Sequence, residues 1–141
     1  MVNYINRNGR LRPTTGGESL SMENLKLFDA EYKFMNIVWE YEPINSTELT
    51  RLCQREFGWK KSTTYSMIKK LCERGIMKNG NATVTSLIER EQVQKYEADL
   101  LLNKVFGGSI PTFIASFLQD KTLSDKEVQE TRKMIEEVTE K

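Results

Sequence analysis

Lys60, Lys61, Lys69, Lys70 and Arg74 lie in one stretch, Trp59 to Gly75, which reads WKKSTTYSMIKKLCERG. Ser62, Thr63, Tyr65 and Ser66 stand between its two cationic ends. Read as a helix, the stretch gathers Ile68, Leu71 and Cys72 into a narrow apolar stripe and leaves lysines and hydroxyls on the other faces. The chemistry this supports is noncovalent. Ammonium and guanidinium groups neutralise phosphates, while hydroxyls and a phenol can hydrogen-bond base edges. Arg51, Arg55 and Lys78 extend the positive charge. Residues 51–78 hold eight basic and two acidic groups, a net +6, although the whole chain of 141 residues carries only +1. Residues 23–50 come to −4 and residues 89–141 to −3. A basic centre between acidic flanks is an electrostatic footprint for a polyanion. The other reading of the same charges is a solvated lysine face.

Covalent chemistry has little to work with. The chain has no histidine, which removes Ser–His and Cys–His nucleophile pairs and histidine metal ligands. Cys53 and Cys72 are nineteen positions apart, without CxxC spacing. Both fall on expected apolar helix faces and read as buried free thiols, with a regulatory disulfide as the alternative. Neither a glycine-rich phosphate loop nor a carboxylate cluster occurs, so no enzyme activity, cofactor, metal site or small-molecule substrate is expected. The first residues lack the apolar core of a signal peptide and no run is long enough to span a bilayer, so the expected location is the cytoplasm.

The elements that must position the basic stretch can be read in order. Residues 1–24 are polar, with Pro13, Gly16 and Gly17, and read as a flexible N-terminal extension. Met22 is a second candidate start of translation, and Arg7, Arg10 and Arg12 could brush a phosphate backbone. Asp29 is expected to cap a first helix over about 30–42. That helix buries Phe34, Ile37, Val38 and Tyr41, is widened by Met35 and Trp39, and stops at Pro43. After a short extended link at Ile44, NSTE (Asn45 to Glu48) reads as a capping box in which Asn45 accepts from the Glu48 amide and Glu48 reaches back. It opens a second helix over about 46–57, which buries Leu49, Leu52, Cys53 and Phe57 and ends at Gly58. A third helix over about 62–74 closes at Gly75 and turns Thr63, Ser66, Lys69 and Lys70 to solvent, with Tyr65 at the margin. Asn79-Gly80 suits a tight hairpin turn, and Thr83-Val84-Thr85 has strand propensity. Three helices and a hairpin make a winged helix-turn-helix over 25–88, whose third helix enters the major groove of DNA.

Residues 89–141 are helical again. Tyr96, Leu100 and Val105 form a stripe that Gly107-Gly108 ends, and IPTFIASFLQD, Ile110 to Asp120, is unusually apolar for its length. SDKE, Ser124 to Glu127, is a second capping box, opening a helix with Val128, Thr131, Ile135 and Val138 on one face. Helices this short have too little company to bury that surface alone, so a second copy is expected to cover Tyr96, Leu100, Ile110, Phe113, Ile114, Phe117, Leu118, Val128 and Ile135, with intramolecular packing as the alternative. The expected fold class is therefore mainly α with a small β-hairpin: an N-terminal winged helix-turn-helix and a C-terminal helical dimerisation domain.

From about Leu27 to the C-terminus, order and spacing resemble the penicillinase-repressor (BlaI/MecI) family of winged-helix transcriptional regulators. AEYKFMNIVWE, Ala30 to Glu40, is similar to the family's A-E-x-x-V-M-x-x-x-W. Trp59, Thr63, Leu71 and Gly75 keep register through the recognition segment. FIASFLQDKTLSDKEVQETRKMI, Phe113 to Ile135, resembles x-x-x-N-F-x-x-x-x-x-L-S-x-x-E-x-x-x-L. The resemblance implies a homodimeric repressor of dyad-symmetric DNA operators, released by proteolysis downstream of a membrane sensor protease that detects antibiotic. It places operator contacts at Ser62, Thr63, Tyr65, Ser66 and Lys70, and the processed bond at Ser116–Phe117, where the family has Asn before Phe. Lys60-Lys61 replaces the family's Ser-Pro, which makes Ser62 the expected cap of the third helix. Tyr65 stands where Gln or Arg is common, the hairpin is short and lacks a tip arginine, and there is no cysteine-rich metal motif. The competing function class is a winged-helix adaptor that contacts proteins; only DNA binding would weaken steeply with salt.

Overall fold

The computed structural model describes residues 25–139 and the backbone of residues 3–5 and 11–13. The chain divides into two compact units, Met1–Asp99 and Leu100–Lys141. Strands β1 (Asn3–Ile5) and β2 (Leu11–Pro13) pair antiparallel, with Tyr4 opposite Arg12. The expected flexible extension otherwise lies outside the described residues, as do Arg7, Arg10 and Met22.

Helix α1 spans Asp29–Tyr41 and buries Phe34, Met35, Ile37, Val38 and Trp39. Its cap is Phe28 rather than Asp29, because the Glu31 carboxylate accepts the Phe28 amide at 2.8 Å and satisfies that end from within the first turn. Tyr41 is 44 % exposed rather than buried: the inner face is centred on Phe34–Val38 and Met35–Trp39, which carries Tyr41 past its edge. Leu25 and Leu27, at alternate positions, are buried ahead of the helix.

The extended link at Ile44 is a strand, β3 (Ile44–Asn45). Helix α2 (Ser46–Phe57) follows as expected, but its capping box does not form. Asn45 Oδ1 accepts from the Thr47 amide at 2.8 Å, and Glu48 turns forward to the Arg51 guanidinium, whose charge-assisted bonds outcompete a return to the cap. Gly58 ends α2 in the left-handed region, φ 71°, and its N–H reaches the Gln54 carbonyl at 2.8 Å.

Helix α3 spans Lys61–Glu73 and is capped at Lys60, not Ser62. Trp59 fixes the start. Its ring stacks on Phe34 at 6.1 Å and tilts against Phe57 at 5.0 Å, which anchors the chain one residue before Lys60. The Lys60 carbonyl then receives the Thr63 and Thr64 amides at 3.0 and 3.2 Å. Strands β4 (Met77–Gly80) and β5 (Thr83–Ser86) complete a three-stranded antiparallel sheet in the order β3-β5-β4. The hairpin turns at Asn81-Ala82, both with positive φ (53° and 59°), not at Asn79-Gly80. The register explains the shift. Pairing Met77 with Ser86 and Asn79 with Val84 keeps Met77, Val84 and Ser86 inside, and a one-residue slip would turn them out.

Helix α4 spans Arg90–Phe106; Gln92 accepts the Glu89 amide at 2.7 Å across its entry. Val93 is buried and Tyr96 packs against the first unit's core. In the second unit, Gly107 and Gly108 take positive φ, and Ser109 caps α5 (Ile110–Leu118) by accepting the Thr112 amide at 3.2 Å. The Ser124–Glu127 capping box opens α6 (Asp125–Glu137) as expected. The architecture is mainly α with two small sheets, and its three-stranded sheet belongs to a winged helix-turn-helix that is followed by a helical unit. No single helix among the described residues is long and apolar enough to cross a membrane.

Candidate nucleic-acid interface

Helix α3 is held from one side only. Thr64, Ile68 and Leu71 are buried, while Lys61, Ser62, Thr63, Tyr65, Ser66, Lys69 and Lys70 are exposed. Three residues, Gly58 to Lys60, connect α2 to α3, the short link of a helix-turn-helix. Four-residue spacing sorts all of these exposed side chains except Thr63 into two adjacent rows. Lys61, Tyr65 and Lys69 make one, and Ser62, Ser66 and Lys70 the other. Ser62, Thr63, Ser66, Met67 and Lys70 line a shallow depression of about 340 Å³. The structure thus brings the expected hydroxyls together with Lys70. Lys60 stands at the helix entry, and Lys78 is exposed on β4 opposite Thr85.

Lys70 and Arg74 have a second partner that the sequence reading missed. Glu31 of α1 is only 1 % exposed. Lys70 Nζ lies 2.9 Å from its Oε2, and Arg74 Nη1 lies 3.1 Å from both carboxylate oxygens. The Arg74 Nη2 group also donates to the Lys26 carbonyl. Burial alone would raise the Glu31 pKa. The Phe28 amide, the Lys70 hydrogen bond and the Arg74 and Lys70 charges outweigh it and hold the carboxyl below its ordinary value, so it is ionised at neutral pH. A signal was present in the sequence: Glu31 is in phase with Phe34, Met35 and Val38, and a carboxylate on a buried face needs cationic partners.

Neither thiol suits nucleophilic chemistry. Both are free; Cys53 is buried and Cys72 half-buried. Burial pushes both pKa values up, against the opposing contacts with the Thr64 side chain and the Asn79 backbone. Among the described residues no group of His, Cys, Asp or Glu side chains is arranged to hold a metal ion.

The second unit carries the other expected residues. None of its described residues is buried. Phe106, Phe113 and Phe117 form an aromatic ladder with centroids 5.2 and 6.2 Å apart. Phe113, Ile114, Phe117 and Leu118 of α5 face Val128 and Ile135 of α6 across an open apolar groove of about 770 Å³. Leu100, Val105 and Ile110 are exposed. Ser116 and Phe117 are exposed within α5, and Lys121 Nζ lies 4.2 Å from the Phe117 ring centroid.

Known proteins similar in sequence to this chain match it over most of its length. The penicillinase repressor family profile covers residues 27–137. The penicillinase repressor of Bacillus licheniformis is 25 % identical over 116 residues, covering 79 % of this chain and 91 % of that protein. The penicillinase repressor of Staphylococcus aureus is 22 % identical over 126 residues, covering 86 % and 100 %. The methicillin resistance regulatory protein MecI of Staphylococcus aureus is 25 % identical over 114 residues, covering 78 % and 93 %. The family is one of regulatory DNA-binding proteins rather than enzymes. With α1 to α6 all inside the matched range, the chain belongs to the penicillinase-repressor family of transcriptional repressors.

Proposed function

We propose that this repressor binds a dyad-symmetric DNA operator as a homodimer, with α3 in the major groove. The observation that carries the reading is the exposed face of α3, where hydroxyls lie between lysines on a helix otherwise fixed by its core. Lys60, Lys61 and Lys69 are placed to meet phosphates, as is Lys78 on the hairpin, while Ser62, Thr63, Tyr65 and Ser66 face base edges. Residues 25–88 act as the reader and residues 89–141 as the dimerisation domain. The apolar groove between α5 and α6, with Phe117 54 % exposed, supports a second copy as its cover.

Release by proteolysis at Ser116–Phe117, triggered by a cell-wall antibiotic through a membrane sensor protease, completes the proposal. Cutting there detaches α6 and opens the groove, so each half-site must be held without its partner's contribution. Fluorescence anisotropy on labelled duplexes, titrated with salt, tests the DNA reading. Affinity should fall steeply, with a log–log slope of about −0.9 per phosphate contacted. A flat dependence would instead favour a protein-binding adaptor.

A further inference from the structure

The cluster at the base of α3 carries an inference about how the reading helix is aimed. Glu31 is a buried carboxylate on α1, Lys70 and Arg74 are one turn apart on α3 and its cap, and all three meet within hydrogen-bonding distance. A buried carboxylate keeps its charge only while such partners stay in place. Here they span two helices that share no backbone hydrogen bond. Arg74 also reaches the Lys26 carbonyl, which ties the same corner to the segment ahead of α1.

We infer that Glu31 is a positioning residue for DNA binding: it fixes the base of α3 through Lys70 and Arg74, and it withdraws Lys70 from phosphate contact. The inference rests on the DNA-binding reading. Its chemistry is a competition. Lys70 Nζ lies 2.9 Å from a buried carboxylate whose one negative charge it shares with Arg74, so that carboxylate and a phosphate compete for it. Approaching a phosphate would require it to leave Glu31 with Arg74 alone. Lys69, on the neighbouring row, has no such partner among the ion pairs of the described residues. Two consecutive lysines therefore have different jobs.

The test measures salt dependence on a mixed-sequence DNA duplex, using the full chain. Lys70→Ala should keep the wild-type slope, whereas Lys69→Ala should lose about one unit of it, as one phosphate contact does. Glu31→Gln, checked for folding by circular dichroism, should steepen the slope by about one unit because Lys70 becomes available. The double variant Glu31→Gln, Lys70→Ala should return to the wild-type slope. A residue that merely stabilised the fold would shift affinity without this pattern. Flattening by Lys70→Ala equal to that by Lys69→Ala overturns the inference and leaves DNA binding standing. If Glu31→Gln does not fold, the Lys70→Ala slope against wild type decides alone. Wild-type protein without salt-dependent binding overturns the DNA reading and this inference with it.

Discussion

The indole Nε1–H of Trp39 donates to the Ile88 carbonyl at 3.0 Å and lies 3.1 Å from Ser86 Oγ. One side chain on α1 thus fastens the end of β5 and the chain leading into α4, and Arg90 lies over its ring at 5.4 Å. Trp39→Phe deletes the donor and leaves a smaller ring, so the Ile88 carbonyl keeps only the Ser86 hydroxyl and part of the buried packing is lost. The expected loss of stability is about 1–3 kcal/mol, read as a lower urea midpoint at unchanged slope. An unchanged midpoint would mean that the ring alone holds the junction.

Glu31 should make stability depend on acid. Its folded pKa lies below the ordinary carboxylate value, so its contribution is complete above the unfolded value and is lost as pH falls through the folded one. Glu31→Gln should therefore lower the melting temperature by a constant amount from pH 8 to about pH 5, with the gap to wild type closing below about pH 4. A gap that widened in acid would contradict the ion-pair geometry with Lys70 and Arg74.

Ser66 is exposed mid-way along α3 and lines the same depression as Ser62 and Thr63. Ser66→Ala should reduce discrimination among operator variants by about 1 kcal/mol while keeping the salt slope. Competition with single-base-changed duplexes measures it. Uniform weakening across all duplexes would remove Ser66 from base reading.

Phe113 and Ile114 line the α5–α6 groove, and neither is buried within the chain. Placing Asp at both positions should convert a dimer into a monomer in sedimentation and leave the winged helix folded. Wild type that sediments as a monomer at micromolar concentration would remove the basis for a dimer.

Ser116–Phe117 lies inside the hydrogen-bonded turns of α5, so a protease must unwind the helix locally to reach it. Cells exposed to a cell-wall antibiotic should accumulate a fragment ending at Ser116, detectable by intact mass. Full derepression with intact protein would show that release takes another route.

The helices were legible in the sequence because their signals are local. Phe34 and Val38 recur one turn apart, Gly58 and Gly107-Gly108 mark ends, and Ser124 with Glu127 forms its cap within four residues. The +6 segment and its hydroxyls were equally visible, since side-chain chemistry needs no fold to be counted. Relationships across long separations were decided elsewhere. Lys60 became the cap of α3 because Trp59 packs on Phe34, 25 positions back. The hairpin turned at Asn81-Ala82 because Val84 must face inward beside Ile44, and propensity at Asn79-Gly80 could not outweigh that burial. Periodicity turns both Lys69 and Lys70 to solvent; only the tertiary fold brought the buried Glu31 carboxylate to Lys70. Local propensity sets which segments become helices, whereas burial against distant partners sets where they begin, how they register and which of their charges remain available.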